Sequence, residues 1–165
     1  MGGPTATVAS AEAFLQRAID AGREGMLAHR GGPFGAVIVA PDGTVAGTGC
    51  NRVTSTNDPT AHAEVVAIRA ACAALGTFQL DGCTLYTSCE PCPMCLAAAY
   101  WARLEAIVYG ASRADAARAG FDDALIYEEI SRPPDARRIP MRCLLAEAAD
   151  ELFDEWLALP ERTAY

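Results

Sequence analysis

His62 stands thirty residues before Cys92 and Cys95, and any fold of this chain must decide whether these three soft-metal binders meet at one point. The first lies in Asn57-Asp-Pro-Thr-Ala-His-Ala-Glu64 and the other two in Pro91-Cys-Pro-Met-Cys95. The alanine-rich run Ala61–Ala74 predicts a helix, with Pro59 where a first helical turn would begin. The apolar run Pro93–Arg103 predicts another, entered through its proline. Both ligand segments therefore lie at helix starts, whose positive ends favour thiolate and hydroxide charge.

The remaining pattern alternates strands with helices. Ser10-Ala-Glu-Ala-Phe opens a helix with Phe14, Leu15, Ala18, Ile19 and Gly22 on one face. Gly31-Gly32-Pro33 breaks the chain, and Phe34–Ala40 reads as a buried strand. Pro41-Asp42-Gly43 turns it into Val45–Cys50, giving a hairpin, and Asn51 to Asp58 reads as a polar loop. Gly76 stops the alanine-rich helix; Cys83–Thr87 and Glu105–Tyr109 are strands. Ala111–Ala119 and Asp123–Ile130 are helices, Met141–Leu145 is a last strand, and Glu147–Leu157 is an amphipathic terminal helix. This order predicts an α/β layered fold with a partly parallel sheet, in a single domain spanning residues 1–165.

Composition narrows the partners. A chain of 165 residues buries roughly 70% of its unfolded surface, so its core needs no disulfides. The formal charge of -8 argues against a large nucleic-acid partner, which needs a basic face. Arg132, Arg137 and Arg138 form the one basic cluster, which reads as a solvated loop. The longest apolar stretches, Phe34–Ala40 and Leu96–Ala102, fall far short of the ~20 residues that cross a bilayer. No basic-then-apolar leader is visible at the N-terminus, so a soluble, cytoplasmic protein without membrane contact is expected. Seven cysteines, an odd number, argue against a disulfide framework. Cys50, Cys72, Cys83 and Cys143 read as inert core residues, and His29 as a loop residue.

One imidazole and two thiolates suit zinc, and three protein ligands leave a fourth position open. The order H-x-E … P-C-x-x-C is that of zinc enzymes which deaminate nucleobases. His62 and Glu64 would be about 200° apart on a regular helix, which assigns them different jobs. His62 reaches the ion, while Glu64 stands beside it as general acid and base. Alone, Glu64 would be an ordinary first-turn acid; the conjunction with three ligands gives it chemistry. A competing arrangement adds Cys89 as a fourth ligand and closes the site, making a structural module with no use for Glu64.

Gly31-Gly-Pro-Phe-Gly-Ala36, Asn57–Glu64 and Tyr86-Thr-Ser-Cys-Glu-Pro-Cys-Pro-Met-Cys95 resemble the cytidine-deaminase-fold superfamily, and more narrowly the bacterial guanine deaminases. Tyr100-Trp-Ala-Arg103 and Ala119-Gly-Phe-Asp-Asp123 strengthen the narrower likeness. The resemblance implies a three-layer α/β/α fold with a mixed five-stranded sheet. It implies one zinc ion per chain and conversion of guanine and water to xanthine and ammonia. His62, Cys92 and Cys95 match the zinc ligands and Glu64 the proton shuttle. Asn51, Ala63, Phe34 and Trp101 match the base-binding wall. Asp123 matches a carboxylate that meets the guanine amino group and serves as a second proton carrier. Tyr165 resembles a terminal residue that closes the pocket from the other subunit of a homodimer with swapped C-terminal segments. Guanosine, cytosine or another aminated ring, and more distantly a tRNA adenosine, are the alternative substrates that the shared motifs leave open.

Overall fold

The computed structural model describes residues 8–164, which form two compact units, one ending at Asp123 and the other beginning at Ala124. In the first unit, β1 (Gly35–Val39), β2 (Val45–Cys50), β3 (Thr84–Cys89) and β4 (Ala106–Ala111) form one sheet in the order β2-β1-β3-β4. β1 runs antiparallel to β2 and β3, whereas β3 and β4 run parallel. The helices of this unit are α1 (Val8–Leu27), the short α2 (Val53–Thr56), α3 (Ala63–Leu75), α4 (Pro93–Trp101) and α5 (Arg113–Arg118).

Every residue of β1 is buried, because the strand is central and covered on both faces. Successive side chains of a strand alternate between its faces. Ala36 and Ile38 accordingly pack with Ala63, Ala67 and Ala71 of α3 and with Leu85. Val37 and Val39 pack on the other side with Ala18, Phe14 and Leu15 of α1 and with Tyr86. This gives the three layers that the resemblance implies. Ala98 and Ala102, at the end of α4, join the α3 side. The β3–α4–β4 passage is the crossover that a parallel pair requires.

Small residues set how closely α3 approaches the sheet. A Cβ at Gly49 of β2 would strike the Ala63 carbonyl and the Ala67 amide, and one at Gly47 would strike the Ala67 carbonyl and the Ala71 amide. That contact draws the N-terminal end of α3, and with it His62, down onto the end of β2. The backbone bond from Arg52 N to Ala61 O, at 2.9 Å, ties the same corner. The polar stretch Asn51 to Asp58 is not wholly loop: it contains α2, closed by Asn57 in the left-handed conformation.

The second unit contains α6 (Ala124–Ser131), a single 3-10 turn at Pro134–Ala136 and α7 (Ala146–Ala158). The fifth strand expected at Met141–Leu145 is absent, so the sheet has four strands, not five. That segment follows Pro140, pairs with no other strand, and ends at Leu145 with φ 54° at the start of α7. A strand without a ladder partner gains nothing from extension. Cys143, expected in the core, is exposed on the same irregular segment, and Cys72 is only half-buried. The basic cluster is engaged locally: Arg137 Nε donates to the carbonyls of Glu129 and Arg132 at 3.1 and 3.0 Å. None of the described residues from Ala124 onward is buried. No helix among the described residues is long and apolar enough to cross a membrane.

Candidate metal centre and active site

Two helix starts build the centre. His62 is the N-cap residue of α3 with φ -68° and ψ 154°, and Cys92 is the N-cap residue of α4 with φ -65° and ψ 168°. Because His62 is extended and not helical, its ring can turn away from the face that Glu64 occupies. Cys95 sits one turn into α4 and is fully buried. The ligand atoms of His62, Cys92 and Cys95 all lie within 4.8 Å of one another. His62 Nδ1 is 3.5 Å from Cys92 Sγ and 3.5 Å from Cys95 Sγ.

These spacings fit zinc. Bond lengths of about 2.3 Å to sulfur and about 2.0 Å to nitrogen, at a tetrahedral angle, separate the two ligand atoms by about 3.5 Å. They also single out Nδ1 as the ligating nitrogen. Cys89 is not in the trio: its thiol points at the Ser112 carbonyl at 3.7 Å, and burial pushes it up to about 11. The closed four-ligand arrangement therefore lacks its fourth member.

The charge of the trio is concentrated on Cys92. Hydrogen bonding from Cys95 above all, and then from His62, pulls Cys92 down to about 4 despite partial burial. Cys95 is driven strongly up by holding its proton for Cys92, and then by burial. His62 is raised first by its hydrogen bond with Cys92. A divalent ion replaces these shared protons, so its uptake is coupled to their release.

Glu64, in the first turn of α3, is buried, and burial is the main cause that raises its carboxyl above the ordinary range. Thr87 Oγ1 donates to Glu64 Oε1 at 3.4 Å. Sequence reading missed Thr87. Strand parity was the available signal, since Thr87 shares a face with Leu85, which packs with the α3 cluster.

Of the residues expected in the base-binding wall, Asn51, Phe34, Ala63, Trp101 and Asp123 all belong to the first unit. Asn51 is buried just past β2, and its Oδ1 accepts from the amides of Gly32 and Val53, each at 3.2 Å. Asn51 N donates to Phe34 O at 2.9 Å, so the polar and aromatic residues are neighbours. Phe34 is half-buried and meets Phe121 edge-to-face at 4.9 Å, a partner that sequence reading did not assign to the wall. Ala63 is fully buried between His62 and Glu64. Asp123 is half-buried; burial chiefly raises its carboxyl, and the Cys92 charge acts the same way. Trp101 stands apart: it closes α4, roughly 13 Å along the axis from Cys92, and is 69% exposed. Tyr165 lies outside the described residues.

Comparison with known proteins agrees with this geometry. Residues 8–111 match the cytidine and deoxycytidylate deaminase zinc-binding region. The guanine deaminase of Bacillus subtilis (strain 168) is 53% identical over 154 residues, covering 93% of this chain and 98% of the relative. The X-ray structure of a Bacillus subtilis guanine deaminase, covered to the same extent, aligns with a TM-score of 0.90. A guanine deaminase structure from Nitrosomonas europaea is 30% identical, covers 96% of this chain and 97% of its own, and gives a TM-score of 0.65. The tRNA-specific adenosine deaminase of Aquifex aeolicus is 35% identical over 147 residues, 88% of this chain and 92% of the relative. Both ligand segments and the buried glutamate fall inside the matched region, and the chain belongs to the zinc-binding cytidine and deoxycytidylate deaminase family.

Proposed function

We propose that this chain is a single-domain zinc enzyme that hydrolyses guanine to xanthine and ammonia. The observation that carries the reading is the His62–Cys92–Cys95 trio with a buried Glu64 beside it, in a chain 53% identical to a guanine deaminase over nearly its whole length. Zinc held by the trio supplies Lewis acidity that makes water a nucleophile near neutral pH. Glu64 takes one proton from the attacking water and passes it to the ring nitrogen. It then takes the remaining proton of the added hydroxyl and hands it to the amine, which leaves as ammonia as the C–N bond breaks and the carbonyl forms. Burial suits it to this work, because a raised carboxyl pKa brings the acid and base forms closer to neutral pH. Asn51 hydrogen-bonds the base and Phe34 packs on its face, with Ala63 completing the floor. Asp123 meets the amino group that leaves and is the second proton carrier. Trp101 and Tyr165 complete the wall in the assembled enzyme.

The assembly is a cytoplasmic homodimer with exchanged C-terminal segments, serving purine metabolism. Supporting this, Leu144, Leu145 and Phe153 are 77%, 81% and 66% exposed, an apolar surface that water covers poorly. A second reading, adenosine deamination in tRNA, draws on the likeness to the Aquifex aeolicus enzyme. A formal charge of -8 disfavours it, because an RNA substrate brings a dense phosphate charge.

The test is ammonia release from guanine, guanosine, cytosine and adenine by zinc-loaded protein, with Glu64→Ala as control. Release from guanine alone, abolished in the variant, is the expected result. Release from another ring moves the substrate and keeps the chemistry. Silence across the panel, with one zinc held per chain, overturns the enzyme reading.

A further inference from the structure

Gly31 has no room for a side chain, and backbone conformation is not the reason, since its φ lies outside the left-handed region. A Cβ there would press on Asn51 Oδ1 and stand 2.6 Å from the Asn51 carbonyl oxygen. Gly32, the next residue, donates its amide to that same Oδ1, and Val53 donates a second. An amide oxygen has two lone pairs, and both are engaged. The reverse orientation would set the Asn51 NH2 group against two N–H donors, so the assignment of oxygen and nitrogen is physically forced. Across the same dipeptide, a Cβ at Gly32 would meet the rings of Phe34 at 3.1 Å and Phe121 at 3.3 Å. Gly31-Gly32 is thus the seam where the polar and aromatic walls join.

We propose that Gly31 is a positioning residue that fixes Asn51 as a hydrogen-bond donor only, so that a bound ring must present a lone pair, from a carbonyl oxygen or an unprotonated ring nitrogen, at this corner. This rests on the reading that Asn51 contacts the base. A side chain at Gly31 displaces Oδ1 from its two amide partners, and Asn51 then loses its orientation. A ring offering N–H at that position meets a second donor and is rejected, which makes the dipeptide a specificity determinant.

Three full-length, zinc-loaded variants test this: Gly31→Ala, Asn51→Ala and Asn51→Asp. Gly31→Ala is expected to fold, hold one zinc per chain, and raise KM for guanine about tenfold with kcat changed less than about threefold. Its crystal structure is expected to show Asn51 Oδ1 moved off the amides of Gly32 and Val53. Asn51→Asp keeps an oxygen for those amides but replaces the donor by an acceptor, so it should bind guanine no better than Asn51→Ala. Tighter binding by Asn51→Asp than by Asn51→Ala overturns the donor-only polarity. An unmoved Asn51 with unchanged KM in Gly31→Ala, or loss of fold and zinc in that variant, overturns the positioning role. Failure of wild-type protein to turn over guanine defeats the functional reading instead, while the Gly31→Ala structure still decides the placement of Asn51.

Discussion

A carboxylate buried beside a cluster of thiols has to be held in place as well as desolvated: burial desolvates Glu64, and the Thr87 hydroxyl holds it. In the proposed reaction, Glu64→Gln keeps the shape and loses the proton carrier. It is expected to retain zinc, by metal analysis, and to lose at least ~10²-fold in kcat. Zinc loss in that variant would instead place Glu64 among the ligands. Thr87→Val removes one hydroxyl donor and should lower kcat about three- to tenfold with zinc retained, while Thr87→Ser restores turnover. The cysteines divide in the same way. Cys89→Ser is expected to keep its metal because the thiol faces the Ser112 carbonyl, whereas Cys95→Ser should lose most of it. Metal content per chain after dialysis separates the two.

At the scale of elements, the centre depends on α3 and α4 presenting their N-terminal ends to one point. α3 stands close to the sheet because β2 is small where they meet, at Gly47 and Gly49 against the backbone of Ala63, Ala67 and Ala71. Gly49→Ala forces α3 outward from β2, and overpacking of this kind costs about 1–3 kcal/mol. A lowered melting temperature is expected, together with weaker zinc retention, because His62 rides on the displaced helix end. A melting loss without any change in zinc affinity would mean that the corner at Arg52 and Ala61 holds His62 independently of α3 packing.

At the scale of the molecule, the second unit has no buried residue of its own among those described, although α7 carries Leu152, Phe153, Trp156 and Leu157. Amphipathic helices are stable when their apolar faces are covered. The proposed dimer supplies that cover. Sedimentation at micromolar concentration should therefore give twice the 17.3 kDa chain mass. Monomeric sedimentation with full activity would sink the dimer and leave the chemistry of the centre untouched.

The amino-acid sequence by itself determined which three residues could meet at a metal and most elements of the first unit. The spacing of His62, Glu64, Cys92 and Cys95 is local to two helix starts, and the strands show as short stretches set off by turn residues, most plainly the apolar run of β1. It misread Met141–Leu145, because apolar character marks a strand only if a neighbouring strand is free to pair with it. Tertiary structure alone decided which nitrogen of His62 faces the sulfurs, that Cys89 turns to Ser112, and that Thr87 reaches Glu64. It alone placed Gly31 against Asn51. Each of these is a contact between segments distant in the chain, and no periodicity or spacing within one segment carries the position of another.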